Sequence, residues 1–209
     1  SEGEKARLHP LNVSQVLDGL MQSFRIQAAE KDINIKAEIA HSLPEITANV
    51  AMVEDLFGNL ISNALKYTPS GGKITITADT ESDGRLCCRI SDTGIGIPKE
   101  NMPHLFSEFF RAENAKEFTE EGTGLGLVIV KEILDRLSGT IRINSQAGQG
   151  TEVCLLIPAA GERPPRPANG AEEPQYLHGR NDRRAAEPSL QTTVAEGCCT
   201  RAPPLARCL

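Results

Sequence analysis

Three short stretches carry residues whose types and spacing could do chemistry. In Gly122-Thr123-Gly124-Leu125-Gly126-Leu127, three alternate glycines run directly into the apolar-periodic positions Leu125, Val128, Ile129, Ile133 and Leu137. Glycines let a backbone approach a ligand closely, and a helix start offers unpaired N–H groups and about half a positive charge to an anion. This stretch reads as a phosphate-binding corner. In Asn59-Leu-Ile-Ser-Asn63-Ala-Leu-Lys66-Tyr67, two amides, an ammonium and a phenol fall within a few residues of one another. In Asp92-Thr-Gly94-Ile-Gly96-Ile97-Pro98, a carboxylate is followed by two glycines.

The elements that must position these groups follow from hydrophobic periodicity. Val53, Leu56, Phe57, Leu60, Ile61, Ala64 and Leu65 recur at helical spacing, which predicts an amphipathic helix from Val50 to Lys66. At about 100° per residue, Asn59, Asn63, Lys66 and Tyr67 share a sector bordering that apolar stripe. One face holds the helix on a core while its shoulder presents polar groups to whatever lies beside it. Leu86, Cys88 and Ile90 alternate with Cys87, Arg89 and Ser91, which predicts a strand ending at Asp92, with Cys88 in the core and Cys87 out of it. A carboxylate there can be held over a cleft.

Elsewhere, residues 1–11 read as a linker or the end of a preceding segment. Asn12 or Ser14 can cap a helix carrying Val13, Val16, Leu17, Leu20, Phe24 and Ala28. Ile33, Ile35, Ala37 and Ile39 alternate as a strand, as do Ile74, Ile76 and Ala78 before the Asp83-Gly84 turn. Residues 98–122 are polar, with Phe106, Phe109, Phe110 and Arg111 in the middle. A connection this long is functional or mobile, and it reads as a lid with a short helix around residues 102–110. Strands over Thr140–Ser145 and Glu152–Ile157 flank a turn at Gly148-Gln-Gly150. Beyond Pro158 no period survives and Pro, Gly, Ala, Arg and Glu dominate, so residues 159–209 are expected to be a disordered tail.

The chain has 209 residues and a formal net charge of −6, room for one domain and a tail. No basic block with interleaved aromatics points to nucleic acid, and no apolar run reaches the roughly 20 residues of a membrane span. None of the six cysteines forms a CxxC pair, which argues against a zinc site, and without an export signal reduced thiols are expected. Cys154 is expected to act as a small hydrophobe. There is no GxxxxGK[ST], and the glycine stretch lacks the βαβ context of a dinucleotide fold.

In order and spacing, the three stretches resemble the N, G1 and G2 boxes of the GHKL ATP-binding fold, most closely the catalytic ATPase domain of sensor histidine kinases. The resemblance covers roughly residues 8–158, and the domain itself is taken as 12–158. It implies a two-layer α/β sandwich: a mixed, mostly antiparallel sheet of about five strands with helices on one face. It implies Asp92 as the acceptor for the adenine amino group, supported by Thr151 through water, with Gly94, Gly96 and Ile97 beside the base and sugar. Asn63 and Asn59 resemble the amides that reach a Mg²⁺–triphosphate, a cation that prefers oxygen ligands. Lys66 would supply charge to the phosphates, Tyr67 would pack near the nucleotide, and Arg111 would pair with the γ-phosphate. Gly122, Thr123, Gly124, Leu125, Gly126 and Leu127 would meet the phosphates through backbone N–H groups.

Kinases of this family pass the γ-phosphate to a histidine on a separate dimerisation domain, in a motif like His-Glu-x-x-x-Pro. His9, His41, His104 and His178 all lack that context. The resemblance therefore implies an ATP-binding half whose partner histidine is supplied in cis or in trans, with a response regulator downstream. It also implies a cytoplasmic location, whether or not the parent protein is membrane-anchored. Two alternatives share the boxes: a GHKL serine kinase of the anti-sigma type, and a nucleotide-binding regulatory module without transfer activity.

Overall fold

The computed structural model describes residues 7–162. Residues 1–6, nearly all of the expected tail, His178, Cys198, Cys199 and Cys208 lie outside the described residues.

The first strand, β1 (His9–Leu11), corrects the expected linker. It pairs antiparallel with β3 (Ile46–Ala48), matching His9 to Ala48 and Leu11 to Ile46. Between them come α1 (Val13–Glu30) and β2 (Asn34–Ile39). Asn12 is the residue that caps α1, accepting a hydrogen bond from the Ser14 N–H at 3.0 Å. Val13, Leu17, Met21, Phe24 and Ala28 form the buried face of that helix.

Helix α2 (Val50–Tyr67) starts where the Asn49 side chain accepts from the Met52 N–H at 2.9 Å. All seven apolar residues of its predicted stripe are buried. The main sheet continues with β4 (Lys73–Thr80), β5 (Leu86–Asp92), β6 (Thr140–Gln146) and β7 (Gly150–Ile157). Its strand order is β2-β4-β5-β7-β6, with β2 parallel to β4 and the remaining pairs antiparallel. One core joins α1, α2 and α4 (Gly126–Arg136) to Ile74, Ile76, Cys88, Ile90 and Leu155 on one face of this sheet. The result is the expected two-layer sandwich.

Cys88 lies in that core, where burial pushes its thiol pKa up. Cys87 stays out of the core, as its strand parity requires, yet it is buried, with its sulfur 4.0 Å from that of Cys154. Cys154 therefore sits on the outer sheet face with Cys87 and not among the helix-side residues.

The connection from β5 to α4 holds a 3-10 helix at Lys99–His104 and α3 (Glu113–Phe118). The short helix expected around 102–110 is corrected accordingly. Pro103 removes a backbone donor, and Phe109 turns left-handed at φ 60°, so no α-helix passes through that stretch. The α-helical turn forms only after Ala112.

Candidate nucleotide-binding site

A cavity of about 360 Å³ opens between α2, α4, the turn after β5 and the 98–122 lid. Its floor is the helix-side face of the sheet at Ile90, Ile143 and Val153. This is the size and lining of a small-molecule pocket: an apolar floor with a few converging polar groups.

The carboxylate end is built by β5 and β7. Asp92 Oδ1 accepts from the Gly94 N–H at 2.8 Å and from the Thr151 N–H at 3.2 Å. Both bonds fall on Oδ1, so among the described residues Oδ2 keeps its acceptor capacity. Burial pushes the Asp92 pKa up, and the two backbone N–H bonds pull against it. The turn that follows is shaped by Gly96, at φ 63°, where a Cβ would run into the Gln146 carbonyl. The next N–H, of Ile97, donates to Ser145 Oγ at 2.9 Å, which ties this turn to β6.

The cationic end is built by α2 and the lid. Lys66 Nζ lies 5.2 Å from the Tyr67 ring centroid and next to the Gly122 backbone. Its pKa is held down, first by burial and then by the Arg111 guanidinium, with Glu121 opposing. Arg111 Nη1 donates to the Glu120 carbonyl at 3.0 Å, and its Nη2 donates to the carbonyls of Thr119 at 2.5 Å and Ala115 at 3.3 Å. That guanidinium folds the lid around itself. Asn59 Nδ2 donates to the Asp55 carbonyl at 2.7 Å, so its oxygen is the atom turned toward Gly126 at the start of α4.

Of the residues singled out from sequence, Asn59, Asn63, Lys66, Tyr67, Asp92, Gly96 and Ile97 line this one cavity. So do Arg111, Gly122, Thr123, Gly124, Gly126, Leu127 and Thr151. Gly94 and Leu125 lie just behind the lining. Gly94 packs against the Tyr67 carbonyl, and Leu125 precedes the first residue of α4. Two residues escaped sequence reasoning. Asn114 donates from Nδ2 to the Gly96 carbonyl at 2.9 Å, which docks α3 on the turn after β5. Ser145 follows Ile141 and Ile143 on the same face of β6, and a polar residue at an inward strand position was the signal that could have found it.

Among the described residues no group of three or more His, Cys, Asp and Glu side chains could hold a metal ion. No described helix is long and apolar enough to cross a membrane. His104 packs against Phe110 with ring centroids 5.6 Å apart, and His9 lies on β1.

The family model of the histidine kinase-, DNA gyrase B- and HSP90-like ATPases matches residues 48–161, more than half of the chain. An uncharacterised sensor-like histidine kinase of Rhizobium meliloti (strain 1021) is 32% identical over 197 residues, 91% of this chain and 37% of that protein. The sensor histidine kinase WalK of Bacillus subtilis (strain 168) is 37% identical over 131 residues, 60% of this chain and 21% of that protein. The chain thus spans well under half the length of these relatives. Among solved structures, full-length ShkA in complex with AMPPNP is similar at a TM-score of 0.62 and 28% identity, covering 76% of this chain and 33% of that one. The mycobacterial sensor histidine kinase MprB shares the fold at a TM-score of 0.65 and 24% identity, covering 72% of this chain and 98% of that one. Fold, boxes and family model agree: the chain belongs to the histidine kinase-, DNA gyrase B- and HSP90-like ATPases, as an ATP-binding domain of the sensor histidine kinase type.

Proposed function

We propose that this domain binds Mg²⁺·ATP and delivers the γ-phosphate to a histidine on a dimerisation domain, as the catalytic part of a two-component sensor kinase. The observation that carries the reading is the division of labour at Asp92. Two backbone N–H groups hold Oδ1, leaving Oδ2 as a fixed acceptor for the 6-amino group of adenine. At the other end, Lys66 and Arg111 place two positive charges beside the glycines that open α4.

Asn59 and Asn63 fit a hard cation that also takes phosphate oxygens. They are neutral, their amides approach Gly126, and the Asn59 oxygen is oriented because Nδ2 of the same amide donates to the Asp55 carbonyl. When bound, Mg²⁺ supplies charge neutralisation of the phosphates. The glycine backbone positions the phosphates, while Tyr67 packs at the cationic end. Arg111 can meet the γ-phosphate through Nε, which has no hydrogen-bond partner among the described residues and faces Gly122, while its Nη groups stay on the carbonyls of Ala115, Thr119 and Glu120. Phosphoryl transfer asks mainly for positioning and charge, and the nucleophile comes from the partner histidine. A response regulator then receives the phosphoryl group. Such a domain works on the cytoplasmic side of a sensor.

Calorimetric titration with a non-hydrolysable ATP analogue, with and without Mg²⁺, tests the site. Saturable, Mg²⁺-dependent binding is expected. Adding ATP and a histidine-bearing dimerisation domain is expected to label histidine, and labelling on serine would favour the anti-sigma type of kinase instead.

A further inference from the structure

At the Asp92 end of the cavity, one hydroxyl proton decides what the pocket presents. Ser145 Oγ accepts from the Ile97 N–H at 2.9 Å. The same oxygen lies 2.9 Å from the Gly150 carbonyl oxygen and 2.8 Å from Thr151 Oγ1. A serine hydroxyl has one proton and two lone pairs. A carbonyl can only accept, so the Ser145 proton goes to Gly150. The Thr151 hydroxyl must then donate to Ser145 Oγ, which fills both lone pairs of that oxygen. Thr151, which lines the cavity, is left with lone pairs alone on Oγ1 for any further partner.

We infer that Ser145 is a positioning residue for base recognition: by fixing as an acceptor the hydroxyl of Thr151, the register partner of Asp92, it selects a 6-amino over a 6-oxo purine. The inference rests on the reading of this cavity as an ATP site. A 6-amino group brings donors to that edge of the base, whereas a 6-oxo group brings an acceptor. Two acceptors held in place reject the second kind of base more strongly than a hydroxyl that can rotate to donate. Sites built around oriented polar groups discriminate in this way because the wrong ligand leaves them unpaired.

The test compares ADP with IDP, which differ only at that edge, by calorimetry on the full chain and its variants. Wild type is expected to prefer ADP. Ser145→Ala frees the Thr151 hydroxyl, and the ADP-to-IDP preference is expected to narrow by about fivefold, the worth of one hydrogen bond. Ser145→Thr keeps a hydroxyl and is expected to restore the preference. Thr151→Val is expected to narrow it as Ser145→Ala does, and the double variant to narrow it no further. An unchanged preference in Ser145→Ala, with both affinities scaled equally and only the melting temperature lowered, makes Ser145 merely structural and overturns the proposal. Should Ser145→Ala fail to fold, an unchanged preference in Thr151→Val overturns it equally. Wild type that binds neither nucleotide sinks the ATP reading itself, and the proposal with it, whereas normal binding with an unchanged preference sinks the proposal alone.

Discussion

Asp92 and Thr151 are register partners across β5 and β7, and the Thr151 N–H donates to Asp92 Oδ1 at 3.2 Å. The carboxylate is thereby held from the neighbouring strand as well as by the Gly94 N–H of its own turn. Asp92→Asn keeps the acceptor that these N–H groups need but can turn an NH₂ toward the base. ATP affinity is expected to fall by about 10- to 100-fold, the worth of a hydrogen bond to a charged group, as read by calorimetry.

The same substitution is expected to raise the melting temperature of the nucleotide-free protein at neutral pH. Burial raises the Asp92 pKa in the folded state, so folding favours the protonated form. The stability gained this way is fully present below the unfolded pKa, about 3.9 for an aspartate, and is lost as pH rises through the folded value. At neutral pH the ion is a net cost, which asparagine removes. Thermal melts of wild type and variant at pH 4 and pH 7.5 check this, with the larger gain expected at pH 7.5.

In the proposed site, nucleotide binding needs the ionised carboxylate. Wild-type affinity is therefore expected to weaken as pH falls, with a midpoint above the ordinary aspartate range. Titrations from about pH 3 to 8 measure it, and a midpoint at the unshifted value, about 3.9, would contradict the upward shift.

In the proposed site, Lys66 acts at the phosphate end only. Lys66→Met is expected to weaken ATP by about tenfold, in line with one charge-assisted bond, and to leave adenosine unchanged. An equal loss for adenosine would mean that the lysine shapes the pocket and does not read phosphate. Because burial and Arg111 hold the Lys66 pKa down, an arriving polyphosphate raises it again. Binding at alkaline pH is thus expected to take up protons, visible as a buffer-dependent enthalpy.

Arg111 gathers three lid carbonyls. Arg111→Ala is expected to speed amide exchange across residues 113–121 by about tenfold or more, while the sheet stays protected. Exchange unchanged in that segment would show that the lid is held by other contacts.

How much was legible in the sequence depended on how long each pattern ran. The stripe of α2 repeats over four turns, and β4 and β5 alternate over seven or eight residues, so periodicity alone placed them and brought Asp92 to a strand end. β1 and β3 are three residues each, too short for a period, and exist because they pair with one another. The lid helix was misplaced because α3 has only six residues and is organised by Arg111, a contact no local propensity encodes. The glycine boxes carried most of the site, because backbone approach leaves a mark on residue type. Asn114 left none, since its role is one hydrogen bond to a distant carbonyl.

The short ladder of β1 on β3 also has a mechanical side. β3 ends at Ala48, Asn49 caps, and α2 begins at Val50, so a single residue separates the ladder from the helix that bears Asn59, Asn63 and Lys66. The three register pairs thus tie β1 to the root of that helix, with one residue between ladder and helix. In the proposed site, the side chains that would meet phosphate therefore stand on a helix whose root is tied, through β1, to the N-terminal end of α1.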